Sequence, residues 1–385
     1  MTPTKFATPK SRSIRRYTHC FEVDMRFIAV IFIFILLLGN LVSPSLAHTR
    51  RKEAGNLLPI IKGLKFGYIS RSGRMVVKPR FDSARPFSEG LARVEINGRY
   101  GFIDTSGRMA VKPVFNMAND FSDGLAAVKI PDGSCGLCGE WVYINKAGQV
   151  VIHTKPIVGA SNYVGDFSDG FASFYSEVGQ PDFPRNLPYG YLDKNGKVVI
   201  PAKFGYAEDF HEGLAAVAKD FMRTAWGYIN QQGEYMIEPK FSDVGDFQDG
   251  LAEVRIGGKW GYIDKAGHMI IEPQFEQASP FSEGYALVKL NTKFGYIDKS
   301  GTVVISPQFE WGSDFSEGLA VAKLGAKTGY INKEGQFAVP LQFEADEYGS
   351  FSGGIAQVLV RYKVNYTFKI GYIDTKGRFI WKPTI

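Results

Sequence analysis

The sequence predicts an all-β protein, an array of about nine three-stranded antiparallel units in a ring-like, propeller-like arrangement. Three observations support this fold class. The phrase aromatic-Gly-Tyr-Ile-Asp recurs across residues 57–385. Four of the intervals between its copies are 34 residues long, and a turn signal and a short apolar strand follow each copy. A repeat of this length is typical of propellers, solenoids and arrays, so an open β-solenoid is the alternative.

The first strand of each unit contains the recurrent glycine. In the segment 260–264, Trp-Gly-Tyr-Ile-Asp, the two aromatic side chains share one face of the strand, and Gly261 and Ile263 share the other. A glycine inside a strand often lets another group approach closely, and we expect a neighbouring aromatic ring to cover it. The corresponding positions are Gly67, Gly101, Val142, Gly190, Gly227, Gly261, Gly295, Gly329 and Gly371.

A tight turn and a second strand follow the first strand. In the segment 298–301, Asp-Lys-Ser-Gly, the aspartate caps the turn and the glycine takes the positive φ that closes it. The second strand begins with three consecutive apolar residues, as in the segment 269–271, and this pattern indicates a strand buried on both faces. A proline such as Pro273 is expected to end this strand.

The third strand has alanine at its second position in eight copies, from Ala92 to Ala356. A small side chain at a fixed place predicts that neighbouring sheets approach closely there. Because a three-stranded unit cannot bury both of its faces alone, it must stack on its neighbours. Neither end of the array supplies a spare strand that would complete the sheet at the other end, which argues against an ordinary propeller closure.

These residues resemble the WG-repeat family of bacterial proteins, named after the Trp-Gly pair of its first strand. The sequence Trp-Gly itself occurs at Trp226-Gly227 and Trp260-Gly261. Four other copies have Phe or Tyr before the glycine, and the aromatic residue is missing at Thr328-Gly329 and Ile370-Gly371. The resemblance covers residues 57–385 and implies a β-repeat fold that often occurs on exported or envelope proteins. It implies no established catalytic residues.

Residues 1–47 are predicted to be a leader that contains a signal peptide. Residues 27–38 are uninterruptedly apolar, and the segment 45–47, Ser-Leu-Ala, has small residues where signal peptidase cuts. The apolar run is shorter than the roughly 20 residues of a membrane-spanning helix, and a retained N-terminal anchor is the alternative to cleavage. In both cases the body is expected in the periplasm or outside the cell. Residues 48–56 form a short linker, and Met25 is expected to be the true start.

The charge of the chain argues against nucleic-acid binding. The formal net charge is +6, but six basic and only two acidic residues lie in the leader, so the array is nearly neutral with mixed signs. Such a surface lacks the concentrated positive charge that is typical of nucleic-acid-binding proteins. Contact with a membrane is expected only through an uncleaved leader.

Cys135 and Cys138 form the one local motif that stands out. In an exported chain two close cysteines most often form a disulfide, which is our prediction. A zinc site needs four ligands, and His153, His211 and His268 stand singly in different repeats. A thioredoxin-type redox site would need a βαβ context. Zinc and redox roles are the alternatives, and neither a metal nor a cofactor is predicted.

A second recurrent feature is an acidic residue in the turn Phe-Ser-Glu-Gly. A ring of such carboxylates could bind cations. Because the turn itself is repeated, we favour the interpretation that each carboxylate accepts hydrogen bonds from backbone N–H groups of a tight turn. The acidic positions are Glu89, Asp123, Asp169, Glu212, Asp249, Glu283 and Glu317, and Gly353 breaks the series.

The sequence lacks the common enzyme signatures. His211-Glu212 is not followed by the second histidine of a zinc-protease helix, and the segment 165–170 has the wrong spacing for a nucleophile elbow. No phosphate-binding Gly-Lys-Ser/Thr loop occurs. The chain is therefore predicted not to be an enzyme, and no catalytic residue is assigned.

The insertions carry the prediction of a binding site. Four of five long insertions, at 130–140, 177–189, 219–225 and 361–369, fall in the hairpin that precedes an aromatic-Gly strand. Insertions on one edge of a repeat array often mark its binding face, and aromatic residues and arginine are typical of binding hot spots. The alternative is that these loops are ordinary surface. The predicted binding residues are Trp141, Tyr175, Phe183, Arg185, Tyr189, Phe221 and Arg223.

The leading functional prediction is a non-enzymatic exported module that binds an envelope component, either a polysaccharide, peptidoglycan or a protein, through the long loops of one edge. The second is a structural spacer without a specific ligand. The third is an enzyme of unknown type whose activity would map to the same loops.

Overall fold

The computed structural model describes residues 57–133, 139–154, 157, 163–175, 188–343, 347–361 and 368–382. In these ranges the chain is all-β and forms nine antiparallel sheets, here called blades 1–9 in chain order, arranged in a ring. The predicted fold class and its ring-like arrangement are confirmed. The leader at 1–47, the linker at 48–56 and the pair Cys135 and Cys138 lie outside the described residues.

Blade 1 has three strands, β1 (Leu57–Lys62), β2 (Lys65–Ser70) and β3 (Met75–Phe81), and the other blades have four. Blades 2 and 3 comprise β4 (Ser83–Ala84), β5 (Leu91–Ile96), β6 (Arg99–Asp104), β7 (Met109–Phe115), β8 (Met117–Ala118), β9 (Leu125–Ile130), β10 (Glu140–Asn145) and β11 (Val150–His153). Blades 4 and 5 comprise β12 (Tyr163–Val164), β13 (Phe171–Tyr175), β14 (Tyr189–Asp193), β15 (Val198–Phe204), β16 (Tyr206–His211), β17 (Leu214–Ala218), β18 (Trp226–Ile229) and β19 (Tyr235–Phe241).

The remaining blades repeat this plan. Blades 6 and 7 comprise β20 (Asp243–Val244), β21 (Leu251–Ile256), β22 (Lys259–Asp264), β23 (Met269–Phe275), β24 (Gln277–Ala278), β25 (Tyr285–Leu290), β26 (Lys293–Asp298) and β27 (Val303–Phe309). Blades 8 and 9 comprise β28 (Trp311–Gly312), β29 (Ala320–Leu324), β30 (Lys327–Ile331), β31 (Phe337–Phe343), β32 (Glu347–Tyr348), β33 (Ile355–Arg361), β34 (Phe368–Asp374) and β35 (Phe379–Trp381).

The prediction of three strands per unit is wrong for eight blades, because each of them begins with an additional inner strand. This strand is only two residues long in most blades, as at Ser83–Ala84, which pairs with Val94 and Glu95 of β5. In each four-stranded sheet this strand is at the edge opposite the strand that follows the Asp-x-x-Gly turn, and we call it the inner edge.

The strand that follows each turn is the outer edge of its blade, so the prediction that it is buried on both faces is wrong. Of the three apolar residues that open β23, Met269 is half-buried, Ile270 is exposed, and Ile271 lies in the core. Pro273 lies inside this strand instead of ending it. An edge strand tolerates proline because one side of its backbone has no ladder partner.

The recurrent glycine is covered by backbone, not by the aromatic ring that we expected. A Cβ atom on Gly261 would lie 2.4 Å from the carbonyl oxygen of Ile271, where β23 bulges across β22. Blade 3 has Val142 at this position, and there Val142 pairs directly with His153 in the outer strand. The valine is therefore accommodated where the register shift next to this position is missing, although a shift remains between Tyr143 and Ile144.

The core lies between blades, as the alternation pattern predicts. Trp260 and Tyr262 pack toward blade 7 with Ala286, whereas Ile263 packs toward blade 5 with Trp226. The alanines at the second position are fully or almost fully buried, which confirms the predicted close approach of neighbouring sheets. Each blade thus supplies an aromatic face to its successor and a small-residue face to its predecessor.

A repeated hydrogen bond joins successive blades and continues across the ends of the chain. The hydroxyl of Tyr262, for example, donates to the carbonyl oxygen of Ser279 in the next blade at 2.8 Å. At the ends, the hydroxyl of Tyr372 donates to the carbonyl oxygen of Pro59 in blade 1 at 2.7 Å, and Ile60 and Ile355 share a core cluster. The ring is closed, which rules out the open solenoid, and the first and last sheets exchange no strand.

Candidate functional site

The strand register divides the ring into two faces. Leu91, at the start of β5, pairs with Asp104, at the end of β6, so the Phe-Ser-Glu-Gly turns and the Asp-x-x-Gly turns lie at the same end of each blade. We call this end the latch face. The hairpins between the second and third strands of the four-stranded blades lie at the opposite end, the loop face, and the four hairpin insertions all belong to it.

On the latch face the recurrent carboxylates join neighbouring blades. Each acidic residue has a positive φ of 50–57° and accepts a hydrogen bond from a glycine N–H in the turn of the next blade. The carboxylates thus accept hydrogen bonds from backbone N–H groups of a tight turn, as we expected, but this turn belongs to the following unit. The pairs are Glu89–Gly124, Asp123–Gly170, Asp169–Gly213, Glu212–Gly250, Asp249–Gly284, Glu283–Gly318 and Glu317–Gly354.

Basic residues from the Asp-x-x-Gly turns make further contacts between neighbouring blades on the latch face. The ammonium of Lys265 donates to the carbonyl oxygen of Glu212 at 2.9 Å and lies 3.1 Å from its carboxylate. Lys299 and Lys333 donate in the same way to the preceding blade. Because these carboxylates bond to groups of neighbouring blades, we interpret the acidic residues of the latch face as groups that stabilise the ring.

On the loop face, three tyrosines form a row across blade 4. Tyr163 of β12 pairs in register with Tyr175 of β13, which pairs with Tyr189 of β14. The rings of Tyr163 and Tyr175 are stacked, with centroids 5.5 Å apart and planes 7° apart, and Tyr189 meets both rings edge-on. Tyr163 keeps 45% of its surface exposed. The row therefore presents aromatic surface to solvent.

Blade 5 extends this row. The ring of Tyr206 lies 4.8 Å from that of Tyr189 and 5.8 Å from that of Trp226. Tyr206 and Trp226 touch because both pair in register with the small residue Ala218, which lies between them. We call the following five residues the aromatic cluster: Tyr163, Tyr175, Tyr189, Tyr206 and Trp226. Trp226 is its buried member.

The insertion at 219–225 adds a cation to the aromatic cluster. Arg223 has a positive φ of 55°, and its N–H donates to the carbonyl oxygen of Asp220 at 3.0 Å, which fixes the loop. Its guanidinium lies 3.5 Å from the centroid of the Tyr206 ring, a cation–π contact. Arg223 is itself exposed and also lies near the carboxyl of Glu208.

Burial sets the protonation of these groups. It raises the pKa of Tyr189 to about 12 and raises the pKa of Tyr163 and Tyr206 as well, so these hydroxyls remain neutral donors at physiological pH. Burial also raises the pKa of Glu208, and Arg223 opposes that shift. The site therefore combines neutral aromatic surface with hydrogen-bond donors and one arginine.

The structure brings together part of the predicted binding set. Tyr175, Tyr189 and Arg223 lie in or on the aromatic cluster, and Phe221 is exposed on the same loop as Arg223. Trp141 is only 9% exposed and packs in the core between blades 3 and 4, so we leave it out of the site. The remaining two predicted residues, Phe183 and Arg185, lie outside the described residues.

Sequence reasoning missed Tyr163, Tyr206 and Trp226, because their grouping depends on inner strands that were not predicted. One signal was available. Tyr163 and Tyr206 each stand four residues before the phenylalanine of a latch turn, Phe167 and Phe210, and so occupy equivalent positions in neighbouring units. Equivalent positions in adjacent blades lie side by side.

The described residues contain no group of three or more His, Cys, Asp or Glu side chains that could hold a metal ion. Within the same ranges, no apolar helix reaches membrane-spanning length.

A family model described as "WG containing repeat" matches the chain seven times, at residues 66–100, 100–133, 189–220, 226–260, 260–293, 294–327 and 329–363. These matches cover more than half of the sequence. The chain belongs to the WG-repeat family. No curated protein sequence is significantly similar to it.

Several solved structures are similar to this WG-repeat protein at low sequence identity. Apo AztD from Citrobacter koseri is 11% identical with a TM-score of 0.41, over 86% of this chain and 93% of that one. Hsv2 from Kluyveromyces lactis is 9% identical with a TM-score of 0.36, over 74% and 96%. The CNH domain of AfRom2 is 8% identical with a TM-score of 0.33, over 77% and 94%. We draw nothing from them about ligands.

Proposed function

We propose that this WG-repeat protein is an exported, non-enzymatic binding module that engages a polysaccharide of the cell envelope through the aromatic cluster of its loop face. The observation that carries the proposal is the exposed stack of Tyr163 on Tyr175, continued by Tyr189 and Tyr206. Export is supported by the apolar run at 27–38 with its small-residue cleavage signal.

The chemistry of the cluster favours a sugar. Pyranose rings present flat C–H faces that stack on aromatic side chains, and their hydroxyls pair with tyrosine hydroxyls and with arginine. Large rigid aromatic side chains also lose little conformational entropy on binding. The insertion of blade 5 at 219–225 contacts the cluster through Arg223, and insertions on one face often mark the binding face of a repeat array.

The test is a pull-down on isolated envelopes and on their separated polysaccharide, peptidoglycan and protein fractions. The wild type is compared with Tyr163→Ala and with a matched control, Trp311→Ala. Trp311 occupies the same inner-strand position in blade 8 and is 42% exposed, but it pairs with Lys323 and has no aromatic row.

Saturable binding of the wild type to the polysaccharide fraction is expected, with at least tenfold weaker binding by Tyr163→Ala and wild-type binding by Trp311→Ala. Binding confined to the protein fraction would replace the polysaccharide with a protein partner. Absence of binding to every fraction would favour a structural spacer.

A further inference from the structure

The inner segments of the ring carry a second concentration of polar groups, which adjoins the aromatic cluster where Asp209 helps to raise the pKa of Tyr163. In five blades the residue before the phenylalanine of the latch turn is an aspartate. Since these segments surround the axis, the carboxylates come close to one another across blades, as shown by the mutual influence of Asp209, Asp166 and Glu208. The five aspartates are Asp120, Asp166, Asp209, Asp246 and Asp314.

On the side of blades 2 and 3 the negative charge is compensated. Arg93 of β5 donates to the carbonyl oxygen of Ala118 in the next blade, and its guanidinium lies 3.1 Å from the carboxylate of Asp120. Arg85 adds a second ion pair at 3.9 Å. The ring thus shows how a half-buried inner carboxylate is balanced by a strand residue of the preceding blade.

Blade 6 reverses this arrangement. Glu253 occupies in β21 the position that Arg93 occupies in β5, because the two residues pair with Tyr262 and Phe102 of their third strands. Glu253 is only 2% exposed, and a Cβ atom on Gly245 would lie 2.0 Å from its Oε1 atom. Its Oε2 atom is buried and has no hydrogen-bond partner.

The surroundings of Glu253 are acidic. Burial raises its pKa, and the carboxylates of Asp246, Asp314 and Asp243 raise it further. The Oδ1 atom of Asp314 is also buried without a hydrogen-bond partner. Two carboxylate oxygens therefore lie near the axis with unused capacity to accept hydrogen bonds.

Cations are scarce around this group. Within the described ranges, no lysine or arginine forms an ion pair with Asp209, Asp246, Glu253 or Asp314, and the carboxylate of Asp246 lies 3.3 Å from the Nε2 atom of His211. Burial raises the pKa of Asp209 to about 7 and that of Asp314 to about 6. Burial of uncompensated carboxylates costs free energy, and a bound cation would recover it.

We propose that Asp209, Asp246, Glu253 and Asp314, the axial carboxyl cluster, bind an organic cation that carries two or more ammonium groups. Carboxyl groups that come from different blades can pair with ammonium groups that are spread along one chain. Asp209 and Asp314 are half-buried, so the cluster is not sealed from solvent.

The experiment is isothermal titration of the purified protein with spermidine at pH 8 and low salt, with Mg²⁺ titrated in parallel. Saturable binding of spermidine is expected. The Glu253→Gln variant, which removes the charge at nearly constant volume, should bind at least tenfold more weakly. The control Glu272→Gln, an exposed acidic residue on the outer strand of the same blade, should bind as the wild type does.

The Asp314→Asn variant provides a second test if Glu253→Gln folds poorly, and it should also weaken binding of spermidine at least tenfold. Absence of spermidine binding by the wild type overturns the proposal and leaves the cluster as a set of neutral acids. Equal binding of spermidine by the wild type and both cluster variants would show that spermidine does not bind at the axial carboxyl cluster. Equally tight binding of Mg²⁺ contradicts the ligand class.

Discussion

The guanidinium of Arg71 in blade 1 donates a hydrogen bond to the carbonyl oxygen of Gly353 in blade 9, although the two residues are 282 positions apart in the chain. Lys265 makes the same contact with the carbonyl oxygen of Glu212 one blade back. Arg71 therefore repeats at the junction of the chain ends the contact that joins blades within the ring. A Cβ atom at Gly353, where the acidic series stops, would lie 1.9 Å from this guanidinium, so the flexible side chain of Arg71 would have to move aside.

Removal of this junction contact should loosen the ring where no strand is exchanged. We expect Arg71→Ala to lower the free energy of unfolding by about 1 kcal/mol, the scale of an exposed charged hydrogen bond. Amide hydrogen exchange should quicken in blades 1 and 9 before it quickens elsewhere. The control Arg74→Ala removes an exposed arginine from the same turn and should leave both observables unchanged.

The tyrosine hydroxyls that join successive blades should each contribute modestly to stability. Tyr262→Phe deletes the bond to Ser279 and should lower the free energy of unfolding by about 1 kcal/mol. The fold should persist, because blade 2 carries Phe102 at this position. Chemical denaturation measures the effect, and Tyr235→Phe on an exposed outer-strand ring is the control. Identical midpoints for the two variants would contradict this account of the blade junctions.

The recurrent glycine should tolerate no side chain where the outer strand bulges. Gly261→Ala would place its Cβ atom 2.4 Å from the carbonyl oxygen of Ile271. The backbone of β23 would have to move, so we expect a loss of about 2 kcal/mol, the scale of overpacking in a core. Thermal unfolding followed by circular dichroism gives the value, and an unchanged midpoint would show that the bulge is not held tightly.

The axial carboxyls should make the protein less stable as the pH rises. Burial raises the pKa of Asp209 from its ordinary value of 3.8 to about 7, with Asp166 and Glu208 adding repulsion, and that of Asp314 to about 6. The folded state then binds more protons than the unfolded state between these values. These two groups must therefore make stability fall as the pH increases from about 4 to about 7.

The measurement is the melting temperature from pH 5 to pH 8 for the wild type and Asp209→Asn. The variant should show a shallower decline, because the group that loses its proton is gone. Asp264→Asn is the control: hydrogen bonds to the N–H groups of a turn lower the pKa of this exposed carboxyl, so it influences stability only in more acidic solution. Equal slopes for the wild type and Asp209→Asn would refute the assignment.

Much of the fold is predictable because its signals are local. The alternation in 260–264 and the alanines from Ala92 to Ala356 fix which faces pack together, and both features are confirmed. The inner strands were not predictable, because a pair such as Ser83–Ala84 is too short to show a period. The apolar triplets were misinterpreted because exposed edge strands can carry apolar residues, as Ile270 does.

The candidate site was predictable only where an insertion marks it. The insertions pointed to Tyr175, Tyr189 and Arg223, but the aromatic row depends on pairing across strands. The exposed tyrosine at its edge, Tyr163, lies in an inner strand, so no local pattern connects it with Tyr175. The burial of Trp141 was likewise set by the packing of blade 4 on blade 3.

We expect the loop face of blades 4 and 5 to bind an envelope polysaccharide. The most direct measurement is amide hydrogen exchange of the whole protein with and without a saturating amount of that fraction. We expect protection confined to residues 163–165, 173–175, 189–191, 206–208 and 216–226, with no change in the latch turns. Protection on the latch face or on the outer strands, or none anywhere, would contradict it.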